Sequence, residues 1–582
     1  MAGGGSSGGD DGETAQAINP YLENQLLSNY LYYILAIMAA LVITHKVYVT
    51  LTRYVRTVSS LNNTTQSYFA QESWGHAFFK RSLQYAPVFR KRHNREFQVS
   101  SAINMGTLPT RLQLIGLVGY FATNVAFCCI DIQFQGNFKS WTKMFLYRTG
   151  VLAVVNMIPL WLMAARNNPL LTWLGMSFDT FNLLHRWLGR IVVLEALAHT
   201  VCWMASKGLP FTTVMGIAIK SPFLMFGLIG TIAFVFIFIQ ASSVSRHAFY
   251  ETFKILHIIA AAVSIVGVWY HLQLKDLPQL KYLYAVVALW SFDRAARLIR
   301  LAYANVGSGG TKTLVEALPG NAVRVTVNMA RPWAFAPGQH AYLYFPSISL
   351  LQSHPFSVAW SEETESHDGD KLPMDRNEIL SMRKTSMAFI IRARTGATGS
   401  LYKKAAACPD GRLVTSCFVE GPYGGDHKLQ SYGTAMLFAG GVGITQAVPH
   451  VRDLVAGYNN GTVAARKIVL VWIIQSPEHL EWIRPWMTEI LAMERRRECL
   501  RIMLFVSRPR STKEIHSPSA TVQMFPGRPN IEHLIGAEME NQVGAMGVTV
   551  CGPGALSDEV RLAVRNRQYN GTIDFCEEAF SW

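Results

Sequence analysis

Apolar and polar positions divide the chain into two unlike halves. Up to about Arg300, apolar runs near twenty residues long recur, which is the length that an α-helix needs to cross a bilayer. Beyond Arg300, apolar and polar residues alternate over short segments with Pro and Gly turns between them, as in soluble α/β proteins. The pattern therefore predicts a helical membrane domain followed by a soluble module.

Seven membrane spans are predicted, at residues 29–50, 112–130, 147–165, 183–205, 222–240, 253–272 and 281–299. Residues 1–28 begin with a Gly/Ser-rich stretch, carry acidic side chains and lack the basic start and cleavage site of a signal peptide. They are predicted to form a flexible tail, and the first span to remain as an anchor. A membrane domain over residues 29–300 follows.

The charges between the first two spans predict the orientation. This loop is rich in Arg and Lys, and such loops tend to stay in the cytoplasm. The N-terminal tail then lies outside, and seven crossings place the soluble module in the cytosol.

The soluble module shows two different patterns of apolar residues. Residues 322–329 and 340–345 alternate as in a small antiparallel barrel, which is predicted over residues 311–428. Four later segments have the continuous apolar strands of a parallel α/β sheet, predicted over residues 432–582. These segments are residues 435–451, 467–474, 501–507 and 548–560.

Composition narrows the partners. The chain of 582 residues is 50% hydrophobic and 16% charged, with a formal net charge of +15. Many basic residues adjoin membrane segments rather than form one patch with exposed aromatics, so a nucleic-acid partner is not predicted. The eight cysteines form no CxxC pair, so neither a disulfide scaffold nor a zinc site is indicated.

Two apolar segments each carry a pair of histidines fourteen positions apart, His185 with His199 and His257 with His271. On a helix this separation is about 21 Å of rise and falls only about 40° short of four turns, so both imidazoles share a face. Packing explains one such histidine, but intramembrane ionisable groups are costly and the spacing repeats. If the two helices lie side by side, the spacing predicts two bis-histidine haem sites. His185 would pair with His257 near the cytoplasmic face, and His199 with His271 near the outer face.

Three polar side chains near these histidines allow two interpretations each. Arg186 and Arg190 either pair with haem propionates or extend to the membrane interface. Glu195, four residues before His199, either orients that imidazole or pairs with a neighbouring helix.

A glycine-rich turn follows the first predicted strand of the parallel sheet. A strand that leads through such a turn into a helix presents backbone N–H groups to a phosphate. Alone the signal is weak, because similar turns also serve packing. The turn comprises Gly440, Gly441, Val442, Gly443, Ile444 and Thr445.

Several short motifs follow one another in a definite order. The soluble half contains HPFS (354–357), GPYG (421–424), GGVGIT (440–445), CGPG (551–554) and a terminal EEAFSW. The membrane half contains RTG (148–150), RNNPL (166–170), HRWLGR (185–190) and YETFKILH (250–257). In this order the motifs resemble those of the fungal ferric-chelate reductases, which are related to the NADPH oxidases within the flavocytochrome b group. The resemblance extends from about residue 29 to 582 and implies a ferredoxin–NADP reductase-like module.

The resemblance also implies roles for individual residues. His354, Pro355, Phe356 and Ser357 would line FAD, with Ser357 near the flavin N5; Arg392, Thr398, Gly399 and Ser400 would hold its pyrophosphate. The glycine-rich turn would hold the NADPH phosphates, Ser507 and Arg508 the 2′-phosphate, and Cys551, Gly552 and Pro553 would lie beside the nicotinamide. Either Phe580 or Trp582 would cover the flavin.

The function implied is electron transfer from cytosolic NADPH through FAD and two b-type haems to a ferric or cupric chelate outside. Such a reductase supports metal uptake, with a metal permease as a possible partner, in the plasma membrane or alternatively the vacuolar membrane. Outer loops near Lys207, Lys220 and Lys275 would then set acceptor selectivity. A superoxide-generating NADPH oxidase is the alternative; a receptor or transporter would leave the dinucleotide motifs unexplained.

Overall fold

The computed structural model describes residues 20–61, 63–92, 98–100, 103–104, 107–248, 250–307, 311–349, 352–365, 383–394, 396–425, 428–509 and 515–578. Most of the predicted N-terminal tail lies outside these ranges, as do residues 308–310, Phe580 and Trp582.

The first half is helical. Six of its helices, α1, α3, α4, α6, α8 and α10, are long and apolar enough to cross a membrane, counting only the described ranges. The helices are α1 (Pro20–Ser60), α2 (Trp74–Phe79), α3 (Arg111–Cys129), α4 (Phe138–Ala164), α5 (Pro169–Leu174), α6 (Phe178–Lys207), α7 (Phe211–Lys220), α8 (Pro222–Gln240), α9 (Ser243–Ala248), α10 (Tyr250–Gln273) and α11 (Leu280–Asn305).

Helix α11 corresponds to the seventh predicted span but is apolar only in its first part. Its second part carries charges that contact the soluble half, where Arg297 Nε lies 3.2 Å from Glu420 Oε2. Near its end, Asn305 Nδ2 donates to the carbonyl of Val419 at 2.8 Å. The helix therefore continues from the membrane domain directly onto the sheets.

Helix α1 is longer than the predicted span of 29–50 at both ends. Buried Arg148 donates to Asn24 Oδ1 at 2.5 Å and to Glu23 at 2.6 Å, which ties the first turns of α1 to α4. Residues 20–28 are thus helical, and the predicted flexible tail was too long. At the other end, Arg56 donates to Ser431 Oγ of the soluble half at 2.8 Å.

The antiparallel part of the soluble half contains the predicted barrel, in two sheets ordered β7-β8-β4-β3-β9 and β10-β5-β6. Valines and Phe389, none more than 1% exposed, fill the space between the sheets. After the small hairpin β1 (Gln98–Ser100) and β2 (Ile103–Asn104), the elements are β3 (Lys312–Leu318), β4 (Ala322–Asn328), β5 (Gln339–Tyr344), β6 (Ser353–Ser357), β7 (Trp360–Glu365), β8 (Arg383–Arg392), α12 (Ala397–Ala406), β9 (Arg412–Ser416) and β10 (Phe418–Gly424).

The remaining strands form the predicted parallel sheet, ordered β14-β13-β12-β11-β15-β16. Strand order reverses between β11 and β15, where ligands of such sheets bind beyond the carboxyl ends. The elements are β11 (Thr434–Gly440), α13 (Ile444–Asn460), β12 (Lys467–Ile474), α14 (Arg484–Ala492), α15 (Arg496–Cys499), β13 (Leu500–Val506), β14 (Val522–Pro526), α16 (Ile531–Glu540), β15 (Met546–Cys551), α17 (Gly554–Asn566) and β16 (Ile573–Glu578).

The basic segment between α1 and α3 packs against this sheet, a contact that the sequence did not indicate. Asp574 on β16 lies 2.7 Å from Lys80 Nζ and 3.8 Å from Arg56, and it accepts a hydrogen bond from Tyr432 at 2.8 Å. Burial opposes the charge of Asp574, but Lys80 and then Arg56 outweigh it and lower its pKa to about 2. The contact fixes the parallel sheet against the membrane domain.

Candidate functional site

The structure brings together the two histidine pairs on α6 and α10. The ring centres of His185 and His257 are 6.2 Å apart, and those of His199 and His271 are also 6.2 Å apart. An iron held between two imidazoles places the ring centres about 6 Å apart, given metal–nitrogen bonds of about 2.0 Å. Each pair is therefore spaced for one axially ligated haem iron.

Backbone carbonyls orient three of the four imidazoles. Nδ1 of His185 bonds with the carbonyl of Leu160 at 3.0 Å and Nδ1 of His199 with that of Leu146 at 2.9 Å, both on α4. Nδ1 of His271 bonds with the carbonyl of Phe223 on α8 at 2.8 Å. With Nδ1 as donor, Nε2 keeps its lone pair for a metal. His257 Nδ1 is buried and has no partner in the described part of the chain.

Two glycines make room for the outer pair, and sequence reasoning missed their role. A Cβ on Gly150 would lie 2.5 Å from His199 Nδ1, and one on Gly227 would lie 2.7 Å from His271 Nδ1. Each glycine follows the carbonyl that accepts the imidazole, at Leu146 or Phe223, by four residues. A glycine one turn after such an acceptor is the signal that could have identified them.

Glu195 lies between the two histidine pairs on α6 and contacts a neighbouring helix. Its carboxylate accepts from Asn156 Nδ2 on α4 at 2.9 and 3.1 Å. Asn156 also bonds with Asn124 at 2.7 Å and with Tyr120 at 2.5 Å, both on α3. Since His199 uses the carbonyl of Leu146 instead, the structure favours the helix-pairing interpretation of Glu195.

One cavity of about 1660 Å³ joins the inner histidines to the soluble half. Its walls include His185 and His257 at one end and His354, Pro355 and Phe356 of β6 at the other. Single-ligand sites typically occupy about 300–1,000 Å³, so the cavity has room for a flavin and part of a haem. Ser357, the last residue of β6, is 9% exposed and is not among the residues that line it.

The N-terminus of α12 contributes Thr398 to the same cavity, together with Arg394. The Arg394 amide donates to Thr398 Oγ1 at 3.1 Å. A side chain on Gly399 would overlap the carbonyl oxygen of Arg394, so only glycine fits there. The backbone amides at this helix start suit a pyrophosphate.

Arg392 does not reach this cavity, whereas Arg394 does. Side chains alternate along β8, and because Ile391 faces the core, Arg392 is exposed. Burial, followed by the charge of Arg392, lowers the pKa of His479 on the parallel-sheet side. Ser400 is also exposed. The arginine that lines the cavity with His354, Pro355 and Phe356 is Arg394, two positions after the arginine that the resemblance implies.

The glycine-rich turn is shaped for close approach of a ligand. Gly441 has a φ of +55°, and a Cβ there would have no atom within 4 Å, so the turn opens to space. A Cβ on Gly440 would lie 2.6 Å from Pro553 Cδ, and one on Gly443 would overlap the carbonyl of Cys551. Val442 and Gly443 lead into α13, which begins at the buried Ile444. Within its first turn, Thr445 Oγ1 donates to the Val442 carbonyl at 2.9 Å.

The other predicted nucleotide residues lie at the same edge of the sheet. Cys551 ends β15 beside β11, Gly552 follows it, and Pro553 precedes α17. Ser507, the first residue after β13, donates two hydrogen bonds to the Ile474 carbonyl, at 2.8 Å from its amide and 3.0 Å from Oγ. Arg508 is exposed beside it. The fold therefore collects the predicted residues at the carboxyl edge, where dinucleotides bind.

Cations dominate the wall of the cavity. Arg190 lies with its guanidinium 4.5 Å from the centre of the Trp187 ring, and Arg186 Nε has no partner among the described residues. Both line the cavity beside His185, which favours a bound anion over extension to the interface. Bound phosphates and carboxylates suit such a wall. The membrane-domain arginines and lysines in the wall are Arg92, Arg166, Arg186, Arg190, Arg246, Lys254, Arg294 and Arg297.

A buried carboxylate links the membrane domain to the barrel. Glu420 on β10 has no exposed surface and lies 3.5 Å from Arg166 and 3.2 Å from Arg297. Tyr344 and Tyr423 each donate to it at 2.7 Å. Burial opposes its charge, but Arg166, the two tyrosines and Arg297 outweigh burial and hold the pKa of Glu420 below its usual range.

We expect Glu420→Gln to destabilise the junction by about 3 kcal/mol at neutral pH, because it leaves the partly buried guanidiniums of Arg166 and Arg297 without their buried carboxylate. A carboxyl whose folded pKa is lowered stabilises above its ordinary pKa, and this contribution is lost as pH falls through the folded value. Thermal unfolding of the purified protein at several pH values measures both effects. Glu316→Gln, which breaks more exposed pairs with Arg324 and Arg412, is the control. Equal melting of Glu420→Gln and the unmodified protein at neutral pH would contradict the expectation.

The chain matches three sequence families in order. Residues 149–268 match the ferric reductase like transmembrane component, residues 308–374 an FAD-binding domain, and residues 432–565 the ferric reductase NAD binding domain. These matches place the histidine helices, the barrel and the parallel sheet in the order that the structure shows.

Curated relatives come from fungi. Ferric/cupric reductase transmembrane component 1 of Candida albicans is 27% identical over 84% of this chain, and ferric reductase transmembrane component 3 of Saccharomyces cerevisiae is 26% identical over 85%. The chain spans 64% of the length of the first and 70% of the second. A solved flavohemoglobin of Malassezia yamatoensis is 16% identical over 76% of this chain and 99% of its own, with a TM-score of 0.32, a likeness too slight to carry an argument.

Proposed function

Because this chain belongs to the fungal ferric reductase family, we propose that it carries electrons across a membrane from NADPH to a ferric or cupric chelate. The observation that supports this most is the ladder of two histidine pairs on α6 and α10, whose inner end opens into the cavity shared with β6. When bound, FAD divides the hydride of NADPH into single electrons, which b-type haems accept one at a time.

The four imidazoles hold the two haems in this proposal, His185 with His257 and His199 with His271. Their 6.2 Å ring separations and the carbonyls at Leu160, Leu146 and Phe223 support this assignment. Two axial imidazoles close an iron to small ligands, so the acceptor takes its electron without binding the metal.

The nucleotide sites follow the two sheets. His354, Pro355 and Phe356 flank the flavin, and Thr398 and Gly399 in the first turn of α12, with Arg394, hold its pyrophosphate. The open turn at Gly441 binds the NADPH phosphates through its backbone N–H groups. The guanidinium of Arg508 binds the 2′-phosphate, which favours NADPH over NADH. The proposed domains are residues 29–300, 311–428 and 432–582.

The proposed orientation places the soluble half in the cytosol and the His199–His271 pair at the outer face, in the plasma membrane. The basic segment between α1 and α3 packs against the parallel sheet, so the two lie on one side of the membrane. The positive-inside tendency assigns that side to the cytoplasm. Reduced metal would be released outside for uptake by a permease.

Sealed vesicles of the purified protein test the proposal. NADPH is added outside to molecules whose soluble half faces outward, with a ferric chelate and a ferrous indicator trapped inside. We expect ferrous indicator to form inside at the expense of NADPH, faster than with NADH. Superoxide as the main product would contradict the ferric reductase assignment, and reduction only of acceptor added outside would contradict transfer across the membrane.

A further inference from the structure

The membrane domain has a distal face, defined as the end beyond His199 and His271 and away from the sheets. Three acidic residues of the described chain lie near this face, namely Glu23, Asp131 and Asp276. Of these, Glu23 pairs with Arg148. Outer faces of membrane proteins tend to be poor in Lys and Arg, so the cations on this face need another explanation. Six described lysines lie there: Lys139, Lys143, Lys207, Lys220, Lys275 and Lys281.

One aromatic ring connects the outer histidine pair with this face. The Phe223 ring stacks on His271 with centres 4.2 Å apart and planes at 16°, and its carbonyl bonds with His271 Nδ1. The Nζ of Lys275, which is exposed and one turn beyond His271, lies 5.9 Å from the centre of the same ring. His271, Phe223 and Lys275 thus form a continuous stack from the outer pair to the surface.

Further positive charge surrounds this stack. Lys220 ends α7 three residues before Phe223 and is exposed. Phe223 lies in the first turn of α8, where the helix dipole adds a partial positive charge. On α6, Lys207 Nζ lies 5.6 Å from the ring of Trp203, four residues after His199. His271 therefore stacks on a ring that Lys275 approaches, and the two turns of α6 after His199 carry Trp203 and Lys207.

We propose that Phe223 and Lys275, with Lys220 and Lys207 around them, form the docking site for an anionic metal chelate. This inference rests on the proposed function and specifies the charge of its substrate. The lysines raise the local concentration of an anion, and the ring provides a flat contact between the chelate and His271. Each NADPH becomes NADP⁺ by giving up two electrons and one proton, so two Fe(III) chelates become two Fe(II) chelates, or two Cu(II) chelates become two Cu(I) chelates, and no bond to the chain forms.

Two acceptors of opposite charge test the site. Ferricyanide and hexaammineruthenium(III) both accept an electron while they keep all their ligands and bind no protein group. Ferricyanide is a trianion, whereas hexaammineruthenium(III) is a trication. For Lys275→Glu we expect the KM for ferricyanide to rise roughly tenfold and the KM for hexaammineruthenium to fall, with the difference shrinking in high salt. Lys139→Glu makes the same charge change at the start of α4 and should alter either KM less than about twofold.

Binding without electron transfer gives a second readout. Hexacyanocobaltate(III) has the charge and shape of ferricyanide but is not readily reduced, so calorimetry on the purified protein in nanodiscs measures its affinity directly. We expect Lys275→Glu to weaken it roughly tenfold and Lys139→Glu to leave it unchanged. Phe223→Leu keeps the backbone carbonyl and should leave the haem absorbance intact while lowering kcat with both acceptors.

The failure of this inference is distinguishable from that of the proposed function. If Lys275→Glu shows the same KM values and the same hexacyanocobaltate affinity as the unmodified protein, while hexaammineruthenium is still reduced, the docking site is wrong and the reductase stands. If the unmodified protein reduces neither acceptor, the proposed function fails first. An unchanged kcat in Phe223→Leu would contradict the proposal that the Phe223 ring provides the contact between the chelate and His271.

Discussion

A His185→Leu variant should lose the inner haem, and electron transfer from NADPH to an external acceptor should fall by at least about a thousandfold. Leucine provides no lone pair, and the Leu160 carbonyl then loses its imidazole partner. The dithionite-reduced-minus-oxidised absorbance should fall by about half, because the outer pair at His199 and His271 lies about 21 Å along the helices and keeps its haem. Haem per chain, measured spectroscopically, gives the same number independently.

The control for this variant is His76→Leu. His76 lies on α2 with its Nδ1 2.7 Å from Glu72 and has no histidine partner at the fourteen-residue spacing. It should retain both haems and full turnover. If His185→Leu also retained both haem signals, the assigned pairing would be wrong.

A Gly150→Ala variant should lose the outer haem while it keeps the inner one. The new Cβ would lie 2.5 Å from His199 Nδ1, which is closer than real contacts allow, and the alternatives are to tilt the ring or to separate α4 from α6. Either change breaks the hydrogen bond to the Leu146 carbonyl. We expect half of the haem absorbance to remain, NADPH to reduce that half, and turnover with external chelates to fall at least about a hundredfold.

Gly119→Ala is the matched control, because Gly119 also lies on a membrane helix, α3, and a Cβ there would have no atom within 4 Å. It should bind two haems and turn over normally. If Gly150→Ala bound two haems with unchanged spectra, then Gly150 would not hold His199 in place, and the placement of the outer pair would need revision.

Regular sequence patterns made it possible to predict the two histidine pairs on α6 and α10 and the two kinds of sheet in the soluble half. The fourteen-residue histidine spacing follows from helix geometry, and the strand at residues 467–474 is continuously apolar because helices cover both faces of a parallel sheet. Helix ends were less predictable, because hydropathy windows stop at the first charges whereas backbone hydrogen bonds continue. That is why α1 extends beyond 29–50 and α11 beyond 281–299.

Contacts between distant segments could not be predicted. Glu420 meets Arg166 and Lys80 meets Asp574 across more than two hundred positions, and no local period marks such pairs. The role of Gly150 also depends on a ring from another helix. The sequence motif named Arg392, and Arg394 was not considered, because a motif gives sequence order but not the path of the chain after β8, which ends at Arg392 and leaves Arg394 at the cavity.

The central claim is that four imidazoles in two pairs carry electrons from a nucleotide on one side of the membrane to an acceptor on the other. The most direct measurement is the absorbance spectrum of the purified full-length protein before and after NADPH, together with its iron and haem content. We predict two b-type haems per chain, both reduced by NADPH and both reoxidised by a ferric chelate. A colourless chain, or haems that NADPH leaves oxidised, would contradict the account.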